Sequence, residues 1–99
     1  MKGSAKQIEW ANKIKAEWIT SVKYEHEKIL QRKEQHPEDM PQTYWDMADY
    51  VCNDTIKFIN ELNDANEIIE RRKACFGGIY GTKLINRYSK HQKQLVQAL

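Results

Sequence analysis

Between residues 5 and 36 the chain contains no glycine and no proline, and Pro37 closes the run. Few backbones other than a helix use such a stretch. The side chains agree: at 100° per residue, Ile8, Ala11, Ile14, Trp18, Ile19, Val22, Ile29 and Leu30 fall on one face. Ser4 precedes the run and Gln7 follows it by three, the spacing of a capping box. The sequence therefore predicts a first helix over about 4–36, some 45 Å long at 1.5 Å per residue. A helix of this kind is marginal alone in water, so its apolar stripe demands partners within the same chain.

The rest of the chain supplies them. Pro37 and Pro41 bound a loop. Beyond it, Tyr44, Ala48, Val51, Thr55, Ile59 and Leu62 recur at helical spacing, flanked by Trp45, Met47, Cys52, Ile56 and Phe58. This second stripe, over about 42–63, is wide enough to pack on two neighbours. Asp64 and Glu67 repeat the capping spacing, which allows either a new short helix over 65–75 or one helix continued to Cys75. Phe76-Gly77-Gly78-Ile79-Tyr80-Gly81 reads as the strongest stop in the chain. A last helix, 82–98, then carries Leu84, Ile85, Tyr88, Leu95, Val96 and Leu99 on one face.

Four glycines and two prolines leave little material for the turns of a sandwich or barrel. The expectation is an all-α fold, a small antiparallel bundle of three long helices plus a short one, forming a single domain over 1–99. Its core should include Ile14, Trp18, Ile56, Ile59 and Leu95. No stretch reaches the roughly 18 apolar residues of a membrane span. Two cysteines, Cys52 and Cys75, make no disulfide framework, and no apolar leader follows Met1. Both point to a cytoplasmic protein that does not engage membranes.

The charge layout is uneven. Residues 37–70 hold nine acidic residues and one basic one, Lys57, whereas residues 71–99 hold seven basic residues and no acid. Asp46, Asp49, Asp54 and Glu61 lie opposite the apolar stripe of the second helix. On the last helix Lys83, Arg87 and Lys90 recur at i, i+4 and i+7, opposite its apolar stripe, with Arg71, Arg72 and Lys73 before the glycines and Lys93 after. Three accounts fit. The faces are solvated and pair across helices, at about 0–1 kcal/mol per exposed pair. The basic face binds nucleic acid or an acidic partner. Or the acidic face imitates a phosphate backbone.

No constellation points to catalysis. His26, His36 and His91 lie in separate segments, without the spacing of helix-borne metal ligands. His26 reads as a partly buried, hydrogen-bonded residue. Asp46 and Asp49, three apart, have no matching second pair to complete a cation site. Gly77 to Lys83 lacks the order and the preceding strand of a phosphate-binding loop. Cys75 beside Lys73 has no identifiable base. Neither a cofactor nor a metal is expected. Trp10 and Tyr24, off the core face of the first helix, are either wrapped by the bundle or mark an interface.

Gly3-Ser4-Ala5-Lys6-Gln7-Ile8-Glu9-Trp10-Ala11-Asn12-Lys13-Ile14-Lys15-Ala16 resembles a signature of small phage, prophage and mobile-element proteins, G-[ST]-x-K-Q-I-x-W-A-x-x-I-[KR]-A. A second element of such proteins is similar to Ala65–Arg72, with Ile68 in place of Trp. The resemblance covers about a quarter of the chain and brings no catalytic residues. It implies a bacterial host and, by analogy of setting, a non-catalytic inhibitor of a host defence nuclease or ribonucleoprotein complex, of the anti-CRISPR or anti-restriction kind. The alternative is a small DNA- or RNA-binding accessory protein that uses the basic C-terminal helix.

Overall fold

A computed structural model describes residues 1–98; Leu99, expected on the last helix's apolar face, lies outside the described residues. The fold is all-α. Helix α1 spans Ala5–Gln35, α2 Gln42–Glu61, α3 Ala65–Glu70 and α4 Phe76–Ala98, with a 3-10 turn at Pro37–Asp39. The start of α1 carries the expected capping box: Ser4 Oγ accepts from the Gln7 amide at 3.2 Å, and Gln7 Oε1 accepts from the Ser4 amide at 3.0 Å.

Helix α1 packs against each of the other three, and α2 packs against α4. Lys15 reaches the end of α2, where its ammonium donates to the carbonyls of Asn60 and Leu62, whereas Trp45 at the start of α2 donates to Pro37 O. The two helices are therefore antiparallel. Trp18 meets Phe76, Ser21 meets Gly77 and His26 meets Tyr80, so α4 runs parallel to α1. Short α3 returns the chain at the base of the bundle. One cluster unites the four helices, with Ala11, Ile14, Trp18 and Val22 of α1 facing Ala48, Val51 and Ile59, Ala65 and Ile68, and Phe76, Tyr80 and Leu84.

The break after α2 follows the capping reading rather than the continuous helix. Asp64 Oδ1 accepts from the amides of Asn66 and Glu67. The backbone on either side of it pairs with the N-terminus: Lys2 N donates to Asn63 O at 2.7 Å and Ala65 N to Lys2 O at 2.8 Å. Gly3 has φ +140°, and a Cβ there would lie 2.8 Å from Ala65 Cβ, so a larger residue is excluded twice. The two segments that carry the sequence resemblance thus meet in space. Several residues of the signature hold this junction together, and Ala11 and Ile14 enter the core.

Three expectations need correction. Helix α3 ends at Glu70, not at Cys75, and the chain turns over Arg71–Cys75. The glycine run is not a stop: α4 begins at Phe76, not Thr82, and contains all three glycines. Gly77 is buried against α1, where its amide donates to Ser21 Oγ at 3.1 Å and a Cβ would lie 2.6 Å from that oxygen. Burying Phe76, Tyr80 and Leu84, at about 1.5–3 kcal/mol each, outweighs a helical cost of about 1 kcal/mol per glycine.

The third correction concerns the C-terminal apolar residues. Leu95, expected in the core, is 52% exposed, and Ile85 and Val96 are exposed as well. Ile85 lies on the solvent side of α4 next to buried Leu84, whereas the offset between helices explains Leu95 and Val96. Residue 76 of α4 stands beside residue 18 of α1, and Tyr88 packs on Tyr44 near the start of α2. Both partners therefore run out near residue 90, and the last two turns of α4 have nothing to pack on. Ile56 is half-buried, whereas Ile14, Trp18 and Ile59 are buried as expected.

Candidate functional site

The expected basic residues separate into groups. Arg71 pairs with Glu67 at 3.1 Å. Arg72 lies over the Trp10 ring at 5.7 Å and donates to Ile69 O at 2.9 Å, which ties it to the α1–α3 junction. Lys73 is exposed on the following turn. Lys93 lines a shallow depression with Gln92, Val96 and Gln97. Lys83, Arg87 and Lys90 remain as a stripe along α4. This stripe does not lie opposite the buried face, as the helical projection suggested; it flanks that face on the side of α2.

There the cations meet aromatic rings. Lys83 Nζ sits 5.4 Å from the centroid of Phe58, and the Arg87 guanidinium 4.4 Å from that of Tyr50. Both rings are open to solvent, at 43% and 53% exposure. Between the two helices runs a shallow groove of about 260 Å³ lined by Tyr50, Val51, Asp54, Lys83, Asn86 and Arg87. Tyr50 and Asp54 also border a neighbouring depression with Asn53 and Lys57. Beyond Arg87 the surface continues over Met47, Lys90, His91 and Gln94.

The four acids do not form the single face expected of them. Asp49 turns toward α1, where its Oδ1 lies 3.0 Å from His26 Nε2. Asp54 turns the other way, into the groove beside α4. Asp46 accepts from Gln42 Nε2 at 2.9 Å, and Glu61 stands 4.0 Å from Lys57. Asp46 and Asp49 therefore do not converge on a cation. His36, Glu38 and Asp39 do lie close together, but they are exposed, and Arg32 occupies Asp39 at 3.4 Å.

Cross-helix charge pairing, the first account of the layout, is not what the geometry shows. Among the described residues no ion pair joins an acid of α2 to a base of α4, and none engages Lys83, Arg87 or Lys90. Trp10 and Tyr24 are not wrapped by the bundle; they are 48% and 62% exposed, each beneath a cation, Arg72 and Lys28.

His26 behaves as the sequence suggested, half-buried and bonded on both ring nitrogens, to Tyr80 Oη and to Asp49. Nearby, burial and then Asp49 push the Cys52 thiol above its ordinary range, which keeps it protonated. Burial and then Cys52 do the same to the Tyr80 phenol.

Tyr50 and Phe58 are the residues that sequence reasoning missed. Phe58 entered it as a flank of the apolar stripe and Tyr50 not at all. The available signal was an i, i+8 aromatic pair on α2 opposite an i, i+4 cation pair on α4. Among the described residues, no helix is long and apolar enough to cross a membrane. Comparison of the chain with protein-family models, with curated proteins and with solved structures finds no match.

Proposed function

We propose that this protein is a non-catalytic binding module whose working surface is the α2–α4 face and whose target is a nucleic-acid backbone. The observation that carries the reading is the stripe of Lys83, Arg87 and Lys90, held by no carboxylate among the described residues and bordered by the open rings of Tyr50 and Phe58. Cations that no carboxylate neutralises are available to phosphates, and binding then gains from counterion release. Interleaved aromatics are the usual companion of such a stripe in nucleic-acid-binding surfaces.

A second reading, inhibition of a host defence nuclease complex, rests on the N-terminal resemblance and on the aromatic surface of α1. Trp10 and Tyr24 lie outside the α2–α4 face, and solvent-facing aromatics of this size suit a protein contact. The two readings are compatible if the nucleic acid belongs to such a complex. Capture from bacterial lysate by the tagged protein, with and without nuclease treatment, separates them. Retained nucleic acid that vanishes on treatment supports direct backbone binding. A protein partner that survives treatment supports the inhibitor. Capture of neither nucleic acid nor a nuclease component refutes both.

A further inference from the structure

The groove has a polarity that narrows the form of nucleic acid it suits. Its α4 wall is cationic, through Lys83 and Arg87, with Lys90 in the adjoining depression, and its α2 wall presents Tyr50 and Asp54, with Phe58 one turn further along beneath Lys83. Phosphates are attracted to the first wall and repelled by the second. A duplex lying along the groove would bring its second phosphate strand toward α2. A single strand avoids this, with its backbone along α4 and its bases turned over α2.

The rings suit those bases. Tyr50 and Phe58 are eight residues apart, about 12 Å along α2. That is far more than the rise of about 3.4 Å between stacked pairs in a duplex, so the two platforms receive separate, unstacked bases. Phe58 is held from behind, its centroid 6.3 Å from Phe76, which in turn packs 4.6 Å from Trp18. Tyr50 lies between the two depressions. The carboxylate of Asp54 offers an acceptor to exocyclic amino groups, as acidic side chains do toward cytosine.

Resting on the backbone-binding reading above, we propose that the α2–α4 groove takes single-stranded nucleic acid, with bases stacked on Tyr50 and Phe58 and phosphates on Lys83, Arg87 and Lys90. Lys83 and Arg87 occupy the ring faces in the free protein. They swing to the phosphates as bases replace them, exchanging a weak exposed cation–ring contact for stacking and charge pairing.

The test is fluorescence anisotropy with labelled dC and dT oligonucleotides and with a duplex of equal length, across a salt series. Single strands should bind more tightly than duplex, with a log–log salt slope of about −2 for three phosphates. Tyr50→Ala, an exposed change, should weaken single-strand binding about tenfold or more, and Tyr50→Trp should restore it. Asp54→Ala should reduce any preference for dC over dT. Equal single-strand and duplex affinity with a silent Tyr50→Ala would overturn this inference and leave backbone binding standing. Absence of binding to all probes at low salt would remove both.

Discussion

His26 on α1 and Tyr80 on α4 share a hydrogen bond of 2.8 Å between Nδ1 and the phenolic oxygen, in a site where Tyr80 is wholly buried. The same hydroxyl donates to Ala48 O on α2 at 3.2 Å, and His26 Nε2 lies 3.0 Å from Asp49. A hydroxyl has one proton. Asp49 only accepts, so in the neutral ring Nε2 carries the proton and Nδ1 accepts from the phenol, whose single proton is divided between Nδ1 and Ala48 O. Three helices are thereby joined through one phenol.

Tyr80→Phe keeps the ring and removes both bonds. It leaves His26 Nδ1 without its partner in a half-buried position, and should cost about 1–3 kcal/mol in urea denaturation. His26→Ala should cost a similar amount, and the double variant less than the sum, because both delete the same bond. Strict additivity would show that the two residues act independently.

Cys52 and Tyr80 also make stability depend on alkaline pH. Both are pushed above their ordinary values of 9.0 and 10.0, so the unfolded chain releases these protons first. Folding favours the protonated forms. The stability they contribute is complete below pH 9 and declines as pH rises past 9 and then past 10. Chemical denaturation between pH 7 and 11 should show this fall. Cys52→Ala should delete its first part, and Tyr80→Phe its second. A flat profile in the parent protein would contradict the burial of both groups.

The glycines of α4 differ in what surrounds them. A Cβ at Gly81 would find nothing within 4 Å, so Gly81→Ala should stabilise by about 0.5–1 kcal/mol through helix propensity alone. At Gly77 the added methyl meets Ser21 Oγ at 2.6 Å and the Ser21 carbonyl at 3.1 Å. Backbone cannot yield as a side chain does, and Gly77→Ala should destabilise by about 1–3 kcal/mol. Thermal melts of the two variants should move in opposite directions.

These glycines also show where the sequence stops being legible. Apolar periodicity located α1 and α2 to within two residues, because each stripe is long and carries its own start signal. In Phe76–Gly81 local propensity argues for a turn, and the burial of Phe76, Tyr80 and Leu84, with the close approach of α4 to Ser21, overrides it. No periodicity encodes that contact. The exposure of Leu95 is hidden for the same reason: it depends on where α4 stands along α1, a property of two helices together. At the candidate site the α4 cations were legible as a stripe. Their aromatic neighbours on α2 were not, since pairing them requires the register between α2 and α4.

That register gives a contrast in the core. Trp18 is 4% exposed and packs on Phe76, and Trp18→Ala should cost about 3–5 kcal/mol, a large share of the stability of so small a domain. Leu95→Ala, beyond the ends of both partner helices, should change stability by less than about 0.5 kcal/mol. A stable Trp18→Ala variant, or an unfolded Leu95→Ala one, would contradict the offset between α1 and α4.

The stripe on α4 is best tested by changing Lys83, Arg87 and Lys90 to Gln together. Lys83 and Arg87 cover Phe58 and Tyr50, and exposed contacts of that kind are worth about 0.5–1 kcal/mol each. Lys90 forms no ion pair among the described residues. The triple variant should therefore lose about 1–2 kcal/mol and remain folded by circular dichroism. Binding should suffer far more, since three phosphate contacts disappear together and the salt dependence flattens with them. If the cations served the fold alone, the stability loss would appear and partner binding would persist. A folded triple variant that binds as the parent does, with the same salt slope, would remove the α2–α4 face as the working surface.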